Sequence, residues 1–289
     1  MDKLITIVGL TSSGKSGLGI ELAKKFNGEI VSSDSRQVYI GLDWCSGKVT
    51  KQELAEVPHH LIDVCKLGTQ FSLFDFQNMA YNEIDKIIKL KKVPFLVGGT
   101  GLYSRAIVEG YNLSNEKPNE KLRKELSNKT IEELICICNE KGIDYSGEQT
   151  CRRLIRLIEK KNFSSENQPR YDVLQIGIKW DRPEIYERIR KRLEMRMPHM
   201  IEEIKGLLDA GESKEFLMTL GLEAKNIILY LDGKFDSYDD FFEALFKEER
   251  HFAKRQQTWY NKEKNIVWLD AKDDLLENAS KLVEEFLSK

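Results

Sequence analysis

One eight-residue string constrains this chain more than any other feature: Gly9-Leu10-Thr11-Ser12-Ser13-Gly14-Lys15-Ser16. It follows the apolar run Leu4 to Val8 and opens the segment Lys15 to Phe26, where Leu18, Leu22, Ala23 and Phe26 recur at helical spacing. Strand, glycine-bounded loop and helix in that order match the pattern GxxxxGK[ST]. Glycines let backbone N–H groups turn inward on phosphate oxygens, and the helix start adds positive potential. Lys15 adds a full charge and Ser16 a hydroxyl able to ligate Mg2+. Gly9, Leu10, Thr11, Ser12, Ser13, Gly14, Lys15 and Ser16 thus read as a cradle for a nucleotide triphosphate or another pyrophosphate.

The text after the cradle alternates. Glu29 to Val31 reads as a second strand ending in Ser32-Ser33-Asp34-Ser35, Leu61-Ile62 as a third, and Phe74 to Leu90 as a helix. Val93-Pro94-Phe95-Leu96-Val97 reads as a buried strand, because parallel strands covered on both faces are continuously apolar. Strands alternating with helices predict an α/β fold, a P-loop NTPase-like parallel sheet flanked by helices. Between residues 115 and 164 the pattern changes to Lys/Glu-rich helical segments, Asn119 to Asn128, Ile131 to Lys141 and Thr150 to Lys161, without strand signals. This predicts a smaller helical domain over 115–164 inserted into a core of 1–114 and 165–289. Val173 to Trp180 resumes the sheet, and Asp181-Arg182-Pro183-Glu184 is an N-cap and proline signal for a long helix ending near Ala210-Gly211. Helices over Leu222 to Leu231 and Tyr238 to Asn261, a strand over Ile266 to Leu269 and a helix over Asp273 to Leu287 complete the reading.

Composition excludes several classes. With 41% apolar and 32% charged residues and no apolar run near the ~20 residues of a bilayer span, a soluble chain without membrane association is expected. No secretory leader pattern opens it, so the expected location is cytoplasmic. Cys45, Cys65, Cys136, Cys138 and Cys151 show no CxxC pairing, and His59, His60, His199 and His251 no ligand spacing, which argues against zinc and disulfides. The formal charge of −2 hides sorting: residues 151–196 hold thirteen Lys/Arg against seven Asp/Glu, and residues 250–264 five against one. Basic patches of this kind attract polyanions.

A nucleotide-hydrolysing loop normally has a nearby strand ending in a metal-organising aspartate. Asp34 and Asp63 are the candidates, whereas Val93 to Val97 ends in Gly98-Gly99-Thr100-Gly101. Asp34 lies at the C-terminal end of a predicted strand, the edge where open α/β sheets bind ligands. There it serves as a proton acceptor or as a turn and N-cap residue.

Four strings in order carry a resemblance: Gly9 to Ser16, Ser33-Asp34-Ser35-Arg36-Gln37-Val38-Tyr39, Val57-Pro58-His59-His60-Leu61-Ile62-Asp63, and Leu96-Val97-Gly98-Gly99-Thr100-Gly101-Leu102-Tyr103. Arg153-Leu154-Ile155-Arg156-Leu157-Ile158-Glu159 and Ala253-Lys254-Arg255-Gln256-Gln257-Thr258-Trp259-Tyr260 extend it. The chain resembles the tRNA dimethylallyltransferases, or tRNA isopentenyltransferases, of bacterial type. The resemblance implies transfer of a dimethylallyl group from dimethylallyl diphosphate to N6 of the adenosine 3′ of the anticodon. It also implies Mg2+, with Ser16 as its ligand, and a monomer that recognises the tRNA anticodon stem-loop without a protein partner. It makes Asp34 the general base, Lys15 and the loop the stabilisers of departing diphosphate, and Thr100 a contact to the acceptor or the reacting centre. Capping of the helix near Gly101 suits Thr100 equally well.

The implied tRNA contacts are Asp34, Ser35, Arg36, Gln37, Thr100, Arg123, Arg152, Arg153, Leu154, Ile155, Arg156, Lys254, Arg255 and Gln256. Arg153, Arg156 and Lys160 share a helix face opposite Leu154, Leu157 and Ile158. Phe252 and Trp259 read as core anchors or a stacking surface. Leu10 stands where the family generally has proline, and Gly221-Leu222-Glu223 where it has Gly-Tyr followed by Lys or Arg. Two rival readings remain, an adenylate-type prenyltransferase acting on free AMP, ADP or ATP, and a P-loop small-molecule kinase.

Overall fold

Leu4, Ile5, Ile7 and Val8 are each at most 1% exposed, which a strand achieves only when both faces are covered. The computed structural model describes residues 1–113, 119–145, 150–159 and 167–289, and places this strand, β1 (Asp2–Gly9), inside a parallel sheet. The chain continues through α1 (Lys15–Lys25), β2 (Gly28–Ser32), α2 (Lys51–Glu56), β3 (His59–His60), α3 (Leu73–Lys89), β4 (Val93–Val97) and α4 (Gly101–Val108). After α5 (Glu120–Leu126), α6 (Ile131–Glu140) and α7 (Cys151–Glu159) come β5 (Tyr171–Lys179), α8 (Arg182–Asp209), α9 (Lys214–Met218), α10 (Leu222–Leu231), α11 (Tyr238–Tyr260), β6 (Ile266–Asp270) and α12 (Leu275–Ser288). Among the described residues the sheet has six strands in the order β3-β2-β4-β1-β5-β6, all parallel.

Alternation along β1 sorts the two cores. Ile5 and Ile7 pack with Leu18, Leu22, Ala279 and Val283 of α1 and α12, while Leu4 packs with Phe76, Ile84 and Ile107 of α3 and α4. A third cluster joins α8, α10 and α11 through Ile189, Met197, Ile227, Phe241 and Leu245. The chain divides into two compact units, Met1–Gly110 with Pro169–Lys289, and Tyr111–Gln168. The boundaries read from the sequence at 114/115 and 164/165, and Lys160, lie outside the described residues. No described helix is long and apolar enough to cross a membrane.

Several expectations shift. The edge strand is His59–His60 rather than Leu61-Ile62, because Leu61 and Asp63 take positive φ (62° and 55°) and turn the chain away from β2. The short helix α2 went unread although Thr50 and Glu53 form a capping box, and α9 is also unannounced by periodicity. Asp181 precedes α8, but its carboxylate pairs with Lys272 at 2.8 Å and makes no cap hydrogen bond.

Candidate active site

β2, β4 and β1 lie side by side, so the segments leaving their C-terminal ends meet: residues 33–37, 98–101 and 9–16. The approach is close enough to demand glycine. A Cβ at Gly98 would collide with the Ser33 carbonyl, and Gly14, at φ 95°, holds the left-handed turn that opens α1.

The first turn of α1 leaves the N–H groups of Lys15, Ser16 and Gly17 without helical acceptors, directed at the loop. The Ser13 hydroxyl is buried there without a hydrogen-bond partner. The outer carbonyls are held from behind: Trp180 Nε1 donates to Ser13 O at 2.9 Å and Arg188 Nε to Ser12 O at 2.9 Å. Arg192 reaches Thr11 Oγ1 and the Gly47 carbonyl, each at 3.4 Å. Gln256 closes the other side, accepting from Thr11 N at 2.8 Å and donating to Gly99 O at 2.9 Å. Fixing a loop in its ligand-binding shape lowers the ordering cost of binding.

Lys15 points inward, its amine donating to Leu10 O at 2.6 Å. Burial, and after it the charge of Arg192, push its pKa down to about 7 against the opposing pull of Asp34. Burial followed by Arg196 likewise lowers Arg192, with Glu249, Glu223 and Asp34 opposing. Without an anion the pocket therefore disfavours the charged forms of both cations, and an anionic ligand would restore them.

Asp34 sits half-buried at the head of the neighbouring turn. Its Oδ1 accepts from Arg36 N at 2.8 Å and Gln37 N at 3.4 Å, while Oδ2 accepts no hydrogen bond from the described residues. One oxygen builds the turn and the other is open. Thr100 Oγ1 accepts from Ser35 N at 3.1 Å and makes no cap hydrogen bond to α4, so it ties β4 to the Asp34 turn rather than capping. Gln37 is spent similarly, on Ser32 and on the Gly47 carbonyl. Asp63 pairs with Lys48, leaving Asp34 as the acid of this edge.

The other predicted contacts separate by surroundings. Leu154 is 1% exposed in the core formed by Leu126, Leu134, Cys138 and Ile158, and the partly buried Ile155 packs against that core, so both support their helix. Arg123 makes a two-pronged bond to Glu159 at 2.7 and 2.8 Å, and Arg156 adds one at 2.9 Å. Burial raises the Glu159 pKa, but these arginines and the Asn119 N–H outweigh it and hold the carboxyl below its usual range. Both arginines thus brace the helical unit, whereas Arg152 and Arg153 are exposed. On α11, Lys254 and Arg255 are exposed, and Gln256 is buried in the loop contact just described. Trp259 packs over Gly101, while Phe252 is exposed under the Arg255 guanidinium.

Sequence reasoning missed Arg188, Arg192 and Arg196, yet their spacing of four along α8 is a readable signal for one cationic face.

Known proteins extend this geometry. A family model described as IPP transferase matches residues 37–263, and one described as isopentenyl transferase matches residues 2–69. A tRNA dimethylallyltransferase 2 of Treponema denticola is 40% identical over 278 residues, covering 91% of this chain and 93% of the relative. A tRNA dimethylallyltransferase of Lactococcus lactis is 40% identical over 276 residues, covering 93% and 92%. The crystal structure of a full-length tRNA isopentenylpyrophosphate transferase from Bacillus halodurans matches with a TM-score of 0.76 at 33% identity, over 100% of this chain and 96% of that one. A eukaryotic dimethylallyltransferase acting on tRNA shares the fold, with a TM-score of 0.84 at 24% identity over 100% and 80% of the two chains. With family models spanning the phosphate loop, the Asp34 turn and α11, and relatives aligned almost end to end, this chain belongs to the IPP transferase family.

Proposed function

We propose that this chain transfers a dimethylallyl group from dimethylallyl diphosphate to N6 of the adenosine immediately 3′ of the anticodon in tRNA, releasing diphosphate. The observation that carries the reading is the open Oδ2 of Asp34 in the same electrostatic neighbourhood as Lys15 and Arg192. As the allylic C–O bond breaks, its electron pair passes to diphosphate. Charge developing there meets Lys15, Arg192 and the inward N–H groups, already oriented and needing no rearrangement. The N6 lone pair is delocalised into the adenine ring, so the amine needs an acceptor for its proton as the new C–N bond forms. Asp34 Oδ2 takes it. Thr100 and Gln37, bonded to the same turn, keep that oxygen aimed.

The residues fit a Mg2+ ion that arrives with the diphosphate. Ser16 would supply one hydroxyl ligand, and no group of three His, Cys, Asp or Glu able to hold a metal stands among the described residues, so most ligands would come from the diphosphate and water. When bound, the ion adds positive charge against the leaving group.

The deciding measurement is mass spectrometry of nucleosides from an unmodified anticodon stem-loop incubated with protein, dimethylallyl diphosphate and Mg2+. Prenylated adenosine is expected on the RNA and not on free AMP. Phosphoryl transfer from ATP to a small acceptor, with the prenyl compound ignored, would replace this reading with a kinase.

RNA contact is assigned to the exposed cations. Arg152→Ala with Arg153→Ala is expected to raise the apparent KM for stem-loop and to flatten the log KM against log salt slope by about 1.5, the release of counterions from two phosphates. An unchanged slope removes this helix from the RNA surface.

A further inference from the structure

Residues 42–48, beyond the Asp34 turn, have no part in the reaction described above, yet one peptide carbonyl among them touches both halves of the site. Gly47 O accepts from Gln37 Nε2 at 3.2 Å and from Arg192 Nη2 at 3.4 Å. Gln37 N in turn donates to Asp34 Oδ1, and Arg192 Nη1 reaches Thr11 Oγ1 in the phosphate loop. The proton acceptor and a cation of the diphosphate pocket are thus fastened to a single atom. Glycine suits that position, since Gly47 takes φ 59° and a Cβ would collide with the Arg192 guanidinium.

The loop carrying that atom is held by ionic contacts. Arg192, Arg196, His199 and Glu203 recur at helical intervals along α8 and share one face. Arg196 donates to the Trp44 carbonyl at 3.0 Å and the Cys45 carbonyl at 3.2 Å, and His199 stacks on the Trp44 ring with centroids 4.1 Å apart. The half-buried Glu203 carboxylate accepts from the N–H groups of Asp43, Trp44 and Cys45 at 2.6, 2.7 and 2.9 Å. Lys48, next to the shared carbonyl, has a side chain 5% exposed, and its ammonium donates to Tyr39 O at 2.7 Å, to Asp43 Oδ1 at 2.6 Å and to Asp63 Oδ1. An ammonium has three N–H bonds, and this one spends all of them on the fold. Charge-assisted contacts on both Lys48 and Glu203 leave the loop little freedom.

We propose that Lys48 and Glu203 are positioning residues that immobilise the Gly47 carbonyl and, through Arg192 on one side and Gln37 on the other, set the diphosphate cation and the proton acceptor in register for one transfer. Neither residue meets substrate. Both act at a distance, where a shift of about 1 Å in a supporting group is enough to cost about 10²-fold in rate. The inference rests on the prenyl-transfer reading of the site.

Calorimetric titration with inorganic pyrophosphate and Mg2+ reads the Arg192 arm, and single-turnover prenyl transfer to the stem-loop at saturating donor reads the Asp34 arm. Lys48→Met and Glu203→Gln are each expected to weaken pyrophosphate binding about five-fold and to slow transfer about ten-fold. Glu203→Gln keeps the shape and one accepting oxygen, so it carries the test if Lys48→Met does not fold. Double-mutant cycles separate this role from general loosening. In an Arg192→Met background either change should weaken pyrophosphate by less than about two-fold further, and in a Gln37→Met background it should slow transfer by less than about three-fold further. Additive losses in either cycle, or single variants with the affinity and rate of the unaltered protein, overturn the proposal. If the unaltered protein binds pyrophosphate but transfers no prenyl group, the first cycle still decides the role of the loop while the proposed activity falls. If it does not bind pyrophosphate, both fall.

Discussion

Asp34→Asn lowers the single-turnover rate of prenyl transfer by about 10²–10⁴-fold, the span of a lost general base, and leaves donor and stem-loop affinities within several-fold. Asparagine retains an oxygen for the Arg36 and Gln37 N–H groups, so the turn survives. The open side then presents an amide that donates where the reaction needs an acceptor. Because the change separates turn-building from proton acceptance, it is a cleaner test than Asp34→Ala, which removes both. Rapid-quench rates measured beside independent binding constants check it; a rate within about three-fold of the original would assign the N6 proton to another group.

Lys15→Met is expected to weaken donor binding and slow the chemical step together, by about 10²–10³-fold in kcat/KM, since the same amine meets ground-state diphosphate and the charge that develops later. Its pH behaviour has a definite sign. In the folded chain the amine releases its proton near about 7, against an ordinary value of 10.5. Between those values the unfolded chain binds more protons than the native one, so the contribution of this group to stability rises with pH across the window and falls as pH drops toward about 7. Diphosphate reverses the balance by favouring the ammonium. Donor binding at about pH 8.5 should therefore take up a proton, visible as a binding enthalpy that varies with the ionisation heat of the buffer, and affinity should decline as pH rises. Lys15→Met should abolish the buffer dependence; its persistence in that variant would place the proton elsewhere.

What the sequence revealed and concealed divides along the reach of the interactions. The phosphate loop and β1 were legible because neighbouring residues dictate them: glycine for the turns, Lys15 at a helix start, and apolar residues on both faces of a covered strand. Asp34 was legible as a position, yet the division of labour between its two oxygens depends on Arg36 and Gln37 folding back on it. Thr100 looked equally like a cap and a ligand contact, and it proves to hold Ser35, which no local pattern announces. The helical unit concealed its own bracing. Arg123 and Arg156 each have a structural partner the sequence did not announce, Glu159, which is drawn between them with its side chain 2% exposed. The arginines of α8 carried a periodic signal, but periodicity says only that they share a face, and the phosphate loop that Arg188 and Arg192 brace is more than 170 residues earlier.

Gln256 has a temporal consequence. It bonds to Thr11, 245 positions away, and to Gly99, 157 positions away. During translation β1 and α1 emerge early, but the Gln256 clamp on their loop cannot form until α11 has left the ribosome. A nascent or prematurely terminated chain would carry the glycine-rich motif without its brace. Full bracing of the anion cradle is therefore a late event in synthesis, tied to the arrival of α11.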